Sequence, residues 1–256
     1  MSASRVLISV LRITTILFVC YIAVVALVYF RQRSMLFFPS HSTLPTKLTP
    51  WTDQGVTIGF CHEAQNPKTI WLMMHGNGGQ AADRDYVLQC MSGQDSLYVL
   101  EYPGYGAREG SPSKMSFNHA ASEAYQLLRA RNPHTPICVI GESLGTGPAC
   151  ALTHESRPPN KIVLVVPYDI LASVAAGNYP FLPVRLMLRD NWDNVESLKG
   201  YAGPMDIFGA KSDEIIPVKH ARNLASQFPS AHYTELNCGH NDWWQSGQVQ
   251  IRFSKS

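Results

Sequence analysis

Little in this chain favours a disulfide-stapled, metal-bound or nucleic-acid-binding protein. The six cysteines (Cys20, Cys61, Cys90, Cys138, Cys150 and Cys238) form no C-x-x-C pair and are too sparse for a disulfide scaffold. Several stand in apolar surroundings, where a free cysteine packs as a small hydrophobe. No N-x-[ST] acceptor occurs, and no internal repeat or low-complexity tract. His62-Glu63 begins an H-E-x-x-H zinc motif, but Asn66 occupies the second ligand position, so no metal site is expected. The net charge is only +2 and no basic tract is present, which argues against a nucleic-acid partner. The 256 residues, 45 % of them hydrophobic, are enough for one globular domain with an ample core.

The N-terminus differs from the rest. Ile13 to Phe30 is a run of 18 residues without a charge. At about 1.5 Å per residue it reaches roughly 27 Å, close to the ~30 Å of a bilayer's hydrocarbon. Arg12 can snorkel at one interface, while Tyr29, Arg31 and Arg33 suit the other. A cleaved signal peptide is the alternative, but Val28-Tyr29-Phe30-Arg31 is bulky where small residues mark a cleavage site. The expectation is a single-pass membrane helix in an anchor over 1–33. Arg5 and Arg12 balance Arg31 and Arg33, so charge assigns no side. Residues 34–52 read as a connector and 53–256 as the catalytic domain.

Within that domain apolar strands alternate with amphipathic segments. Val56–Phe60 alternates as a half-exposed strand; Thr69–Met74, Leu97–Glu101, Ile137–Ile140, Ile162–Val166, Met205–Phe208 and His232–Leu236 read as further strands. Helical segments are expected near Ala81–Met91, Phe117–Arg131, after Ser143, near Val218–Phe228 and after His240. This order implies an α/β fold with a mainly parallel sheet covered by helices on both faces. Tyr168 to Gly203 is irregular and the only stretch long enough for a cap.

Gly141-Glu142-Ser143-Leu144-Gly145 joins the strand Ile137–Ile140 to a small-residue helix start, the pattern of a nucleophile elbow. A serine hydroxyl needs a base to take its proton and an acid to orient that base. In a parallel sheet these groups come from loops at the carboxyl ends of strands. Asp213 follows Met205–Phe208, and His240 follows His232–Leu236. Asp169, after the preceding strand, is a second position for the acid. The oxyanion needs two N–H donors. One is assigned to Leu144, next to the nucleophile, and the other to the backbone of Asn77 in His75-Gly76-Asn77-Gly78-Gly79.

With these motifs and Tyr102-Pro103-Gly104-Tyr105-Gly106, Gly209…Asp213…Pro217 and Gly239-His240-Asn241-Asp242, the chain resembles a serine α/β-hydrolase. The branch is the small-cap, membrane-anchored one that includes protein depalmitoylases and related esterases. Glu101 stands where that family more often has aspartate. The resemblance implies hydrolysis of carboxylic esters or thioesters through an acyl-enzyme, without a cofactor. Small-molecule or acylated-protein esters are the expected substrates. Tyr179, Phe181, Leu182 and Met187 in the cap are candidates for binding an acyl group, with packing against the sheet as the alternative. Two rival functions come from other classes. Gly76–Ala81 fits the loose dinucleotide pattern G-x-G-x-x-A, with Glu101 at the end of the next strand, as in an NAD(P)-binding Rossmann protein. The other rival is a non-catalytic binding protein built on the hydrolase fold.

Overall fold

The computed structural model describes residues 3–42 and 45–254. The extremes of the expected anchor and catalytic ranges, at 1–2 and 255–256, and residues 43–44 of the connector lie outside the described residues. An eight-stranded sheet has the order β1-β2-β4-β3-β5-β6-β7-β8. Its strands are β1 (Thr49–Asp53), β2 (Val56–His62), β3 (Ile70–Met74), β4 (Ser96–Leu100), β5 (Ile137–Glu142), β6 (Ile162–Val165), β7 (Met205–Ala210) and β8 (His232–Leu236). From β4 to β8 all neighbours are parallel, while β1, β2 and β4 pair antiparallel.

The parallel strands are continuous apolar runs because both faces are covered. Along β3, Ile70, Leu72 and Met74 enter one core with α2 (Lys114–Arg131), α3 (Thr146–Ala151) and α7 (Lys219–Gln227). Trp71 and Met73 enter a second core with Val87, Trp243 and Ile251. Short 3₁₀ segments, Ala81–Cys90 and Trp243–Ser246, and the C-terminal stretch cover that second face.

Two expectations need correction. The sheet begins inside the stretch read as connector. Thr49–Asp53 forms an edge strand that turns at Gln54-Gly55, both with positive φ (48° and 82°), as a tight two-residue hairpin requires. The helix expected after His240 is a single 3₁₀ turn ending at Gly247 (φ 68°). The chain then extends, and Ile251 N–H donates to the Cys90 carbonyl at 2.8 Å.

The cap stretch folds into α4 (Leu171–Asn178), α5 (Val184–Met187) and α6 (Asn194–Leu198). The apolar N-terminal stretch is one helix, α1 (Ala3–Leu36), whose most apolar window contains no buried residue. Its C-terminal end packs on the domain. Phe37, just beyond it, is buried against Phe117 and Trp192, with ring centroids 5.2 and 6.5 Å apart.

Candidate active site

The site forms where β3, β5, β7 and β8 end. Ser143 follows β5 with φ 51°, a left-handed conformation that a side chain rarely adopts and that only tight surroundings maintain. Those surroundings are the flanking glycines. A Cβ at Gly141 would stand 2.7 Å from the Thr146 Cα, and one at Gly145 2.1 Å from the Met74 carbonyl oxygen. The Thr146 hydroxyl ties the turn by donating to the Ser143 carbonyl at 2.7 Å.

His240 lies between the other two residues that the strand-end argument selects. Its Nδ1 is 2.7 Å from Asp213 Oδ2, and its Nε2 is 2.9 Å from Ser143 Oγ. As a carboxylate Asp213 can only accept, so Nδ1 carries the proton and Nε2 is left to accept from the Ser143 hydroxyl. The second Asp213 oxygen accepts the N–H groups of Ile215 and Ile216 at 2.9 and 2.7 Å, which fixes the acid in its turn. Asp169, the alternative acid, faces elsewhere and pairs with His220 at 2.7 Å.

Leu144 is the second residue of the 3₁₀ turn Ser143–Gly145, so its N–H has no acceptor within that turn. The side chain of Asn77 is engaged structurally. Its Oδ1 accepts from Phe38 N–H at 3.0 Å and from the Tyr105 hydroxyl at 2.8 Å, and its Nδ2 donates to the Leu36 carbonyl. The exit from α1 thus holds the loop that carries the expected second oxyanion donor.

Glu142, buried next to the serine, is engaged as a structural carboxylate. Its carboxylate accepts from Gly76 N–H at 2.9 Å, the Tyr86 hydroxyl at 2.5 Å and Trp243 Nε1 at 2.9 Å, and it lies 3.7 Å from Arg84 Nε. Burial pushes the carboxyl up, but the Arg84 charge and these hydrogen bonds outweigh burial and hold it below its ordinary value. One side chain thereby fixes the spacing between the elbow and the loop at Gly76-Asn77. Its partners lie far apart in the chain, so no local pattern marks it.

Of the four cap candidates, Tyr179, Leu182 and Met187 line an apolar cavity of about 100 Å³ whose opposite wall is α1, with Val28, Met35 and Leu36. Neither Ser143 nor His240 lines it, so it is not a pocket directly over the serine. Phe181 faces outward between Pro180 and Pro183, with 86 % of its surface exposed.

The dinucleotide reading of Gly76–Ala81 fails on Glu101. That side chain is buried, and both its oxygens lie 3.2 Å from Ala81 N, so the protein's own carboxylate caps the helical start where a pyrophosphate would bind. Among the described residues no group of three or more His, Cys, Asp or Glu side chains gathers as a metal site would need. Burial pushes the Cys238 thiol up to about 11, in keeping with a packing role beside His240.

No protein-family model matches the chain. An uncharacterised protein of Mycobacterium tuberculosis (strain H37Rv) is 29 % identical over 236 residues, covering 86 % of this chain and 84 % of its own length. Lysophosphatidylserine lipase ABHD12 of Macaca fascicularis is 25 % identical over 215 residues, 68 % of this chain and 54 % of that protein. Among solved structures, the Pyrococcus furiosus esterase Pf2001 superposes with a TM-score of 0.62 at 13 % identity, covering 84 % of this chain and 92 % of that one. The chain has the α/β-hydrolase fold. Est1E of Butyrivibrio proteoclasticus has the same fold, with a TM-score of 0.61 at 12 % identity over 79 % of this chain and 96 % of its own. The chain spans about half the length of the ABHD12 relatives. Its N-terminal apolar helix has the length and composition of a membrane span or of a signal sequence.

Proposed function

We propose that the chain is a serine hydrolase that cleaves carboxylic ester or thioester bonds through an acyl-enzyme on Ser143. The observation that carries this reading is the relay in which one imidazole, His240, bonds to both Ser143 and Asp213. In the first step His240 Nε2 takes the hydroxyl proton as Ser143 Oγ attacks the carbonyl carbon. Asp213 stabilises the imidazolium, and the N–H groups of Leu144 and Asn77 bind the oxyanion. Collapse expels the alcohol or thiol, which leaves with the proton from His240. Water, activated by the same imidazole, then releases the acid. No cofactor enters this chemistry.

The substrates in this reading are acylated or lipid-like, either small molecules or acylated proteins. Three observations support this: the apolar helix α1, the apolar cavity it shares with the cap, and relatives whose name denotes action on lysophosphatidylserine. Residues 1–33 serve as a single-pass anchor, 34–48 as the connector into the first strand, and the remainder as the hydrolase domain with its cap within 168–203.

A fluorophosphonate probe tests the nucleophile. Wild-type protein is expected to label and Ser143→Ala to lose labelling, with ester turnover falling by about 10⁴-fold or more. A folded wild type that does not label would refute the reading and favour a non-catalytic binding protein. Acyl p-nitrophenyl esters and acyl thioesters from short to long chain test the substrate class. Faster turnover of short, soluble esters than of long-chain ones would overturn the lipid assignment.

A further inference from the structure

The contact between α1 and the cap lies well inside the apolar run. Tyr21 is eight residues from Ile13 and nine from Phe30, which places it about 12–14 Å from either end at ~1.5 Å per residue. Its hydroxyl donates to the Phe181 carbonyl at 3.1 Å. The cap turn therefore runs along the helix to the level of Tyr21. The other end of this contact lies at the rim of the run. Gln32 Nε2 donates to the Met187 carbonyl at 3.2 Å, and its Oε1 accepts Arg189 N–H at 2.7 Å. The Arg189 guanidinium sits 5.9 Å from the centre of the Tyr29 ring, and Arg33 pairs with Asp190 at 2.7 Å. Tyr29, Arg31, Arg33 and Arg189 form the aromatic and basic collar that marks a membrane interface.

We propose that the turn Tyr179–Leu188 is a membrane-inserted element, with lipid acyl chains as the partner of its outer surface. This rests on α1 spanning a bilayer, as proposed above. With Ile13–Phe30 in the hydrocarbon, the turn occupies the leaflet on the catalytic side. Sliding the helix outward until the turn clears the membrane would draw Arg12 into the hydrocarbon and strand Leu27 to Phe30 in water.

The turn itself is built for such a medium. Phe181 and Leu186 are 86 % and 90 % exposed, far more than a water-facing surface needs to leave two large apolar side chains. In lipid, each backbone donor must find its acceptor within the protein. Six of the turn's eight N–H groups, those of Tyr179, Leu182, Val184, Leu186, Met187 and Leu188, donate to carbonyls between Ala175 and Val184. Pro180 and Pro183 have no N–H to satisfy. The Tyr21 hydroxyl and the Phe181 carbonyl satisfy each other at the deepest point. Arg185 is the one charged side chain in the turn, and its length allows it to snorkel to the headgroups.

Depth-dependent fluorescence quenching tests the proposal on the full chain. Cys20 is exposed on α1 and the other five cysteines are buried, so a thiol-reactive fluorophore labels Cys20 in the wild type. In a Cys20→Ser background, Phe181→Cys and Leu186→Cys move the label to the turn. Ser230→Cys moves it to the turn before β8, at the far end of the sheet. The proteins are reconstituted in phosphatidylcholine vesicles whose acyl chains carry a nitroxide. Labels at 181 and 186 are expected to be quenched by the nitroxide as strongly as at Cys20 and to be shielded from aqueous iodide, with the reverse at 230. If Cys20 is quenched but 181 and 186 respond to iodide, the turn lies in water and the proposal is overturned while the anchor stands. If Cys20 itself responds to iodide, the spanning helix and the proposal fall together. Fluorophosphonate labelling of the same samples reports on Ser143 alone, so its failure is distinguishable from either result.

Discussion

A Cβ on Gly145 would lie 2.1 Å from the Met74 oxygen and 2.5 Å from that of His75, both main-chain atoms at the end of β3. Neither can yield without moving the loop that carries Asn77. Gly145→Ala is therefore expected to displace an oxyanion donor and to lower kcat by about 10²-fold, with a smaller effect on KM; steady-state kinetics on an activated ester checks this. Glu142 acts on the same spacing from the other side, and its removal also exposes a charge problem. Glu142→Gln leaves Arg84 without its buried counter-charge, for a cost on the order of 3 kcal/mol. The wild-type carboxyl ionises below its ordinary value of 4.5. A depressed carboxyl contributes stability that is full above the unfolded value and is lost as pH falls through the folded one. The difference in melting temperature between wild type and variant is accordingly largest near neutrality and shrinks below about pH 4.5. Thermal melts across that range check the sign. A constant difference would mean that Glu142 acts through packing alone.

At the scale of elements, periodicity and strand-end position were informative wherever a segment's partners are its sequence neighbours or the sheet. The parallel strands were legible because burial on both faces leaves uninterrupted apolar runs, as in Ile70–Met74 and Ile162–Val165. Ser143, Asp213 and His240 could be picked out because the parallel sheet brings strand ends together, and the hydrogen bonds join these same residues. β1 is hard to read in the sequence because Pro50 and an edge position weaken its pattern, although Trp51 just before Gln54-Gly55 is a usable signal. The seating of the cap was also hidden, since its partners belong to α1. Asp190 is the centre of that seating. It accepts from Arg33 at 2.7 and 3.2 Å and from Lys114 N–H at 2.8 Å, joining α1, the cap and the start of α2. Asp190→Ala leaves the Lys114 N–H unpaired and frees Arg33, for a loss of about 1–3 kcal/mol. Limited trypsin digestion is expected to cut faster at Arg189, in the collar at the rim, in this variant. Unchanged digestion would show that the ion pair does not hold the cap.

For the molecule as a whole, the N-terminal helix is more than a tether, because the chain leaving it is built into both the core and the site. Phe37 is 3 % exposed and fills the space between Phe117 and Trp192, on the core face that also holds Met74 and Leu144. The next residue, Phe38, leaves its ring 55 % exposed and contributes its main-chain N–H to Asn77. Apolar composition could not separate these two residues, since both belong to one hydrophobic run and differ only in which way the chain turns after α1. The separation is open to experiment. Phe37→Ala removes a buried ring and is expected to cost about 3–5 kcal/mol. Phe38→Ala keeps the N–H donor and removes little buried surface, so its effect is expected to stay near or below about 1 kcal/mol. If the segment after α1 is integral to the catalytic domain, Phe37→Ala lowers both the melting temperature and the rate of fluorophosphonate labelling, while Phe38→Ala leaves both close to wild type. Equal, small effects from the two substitutions would instead make the segment a passive link.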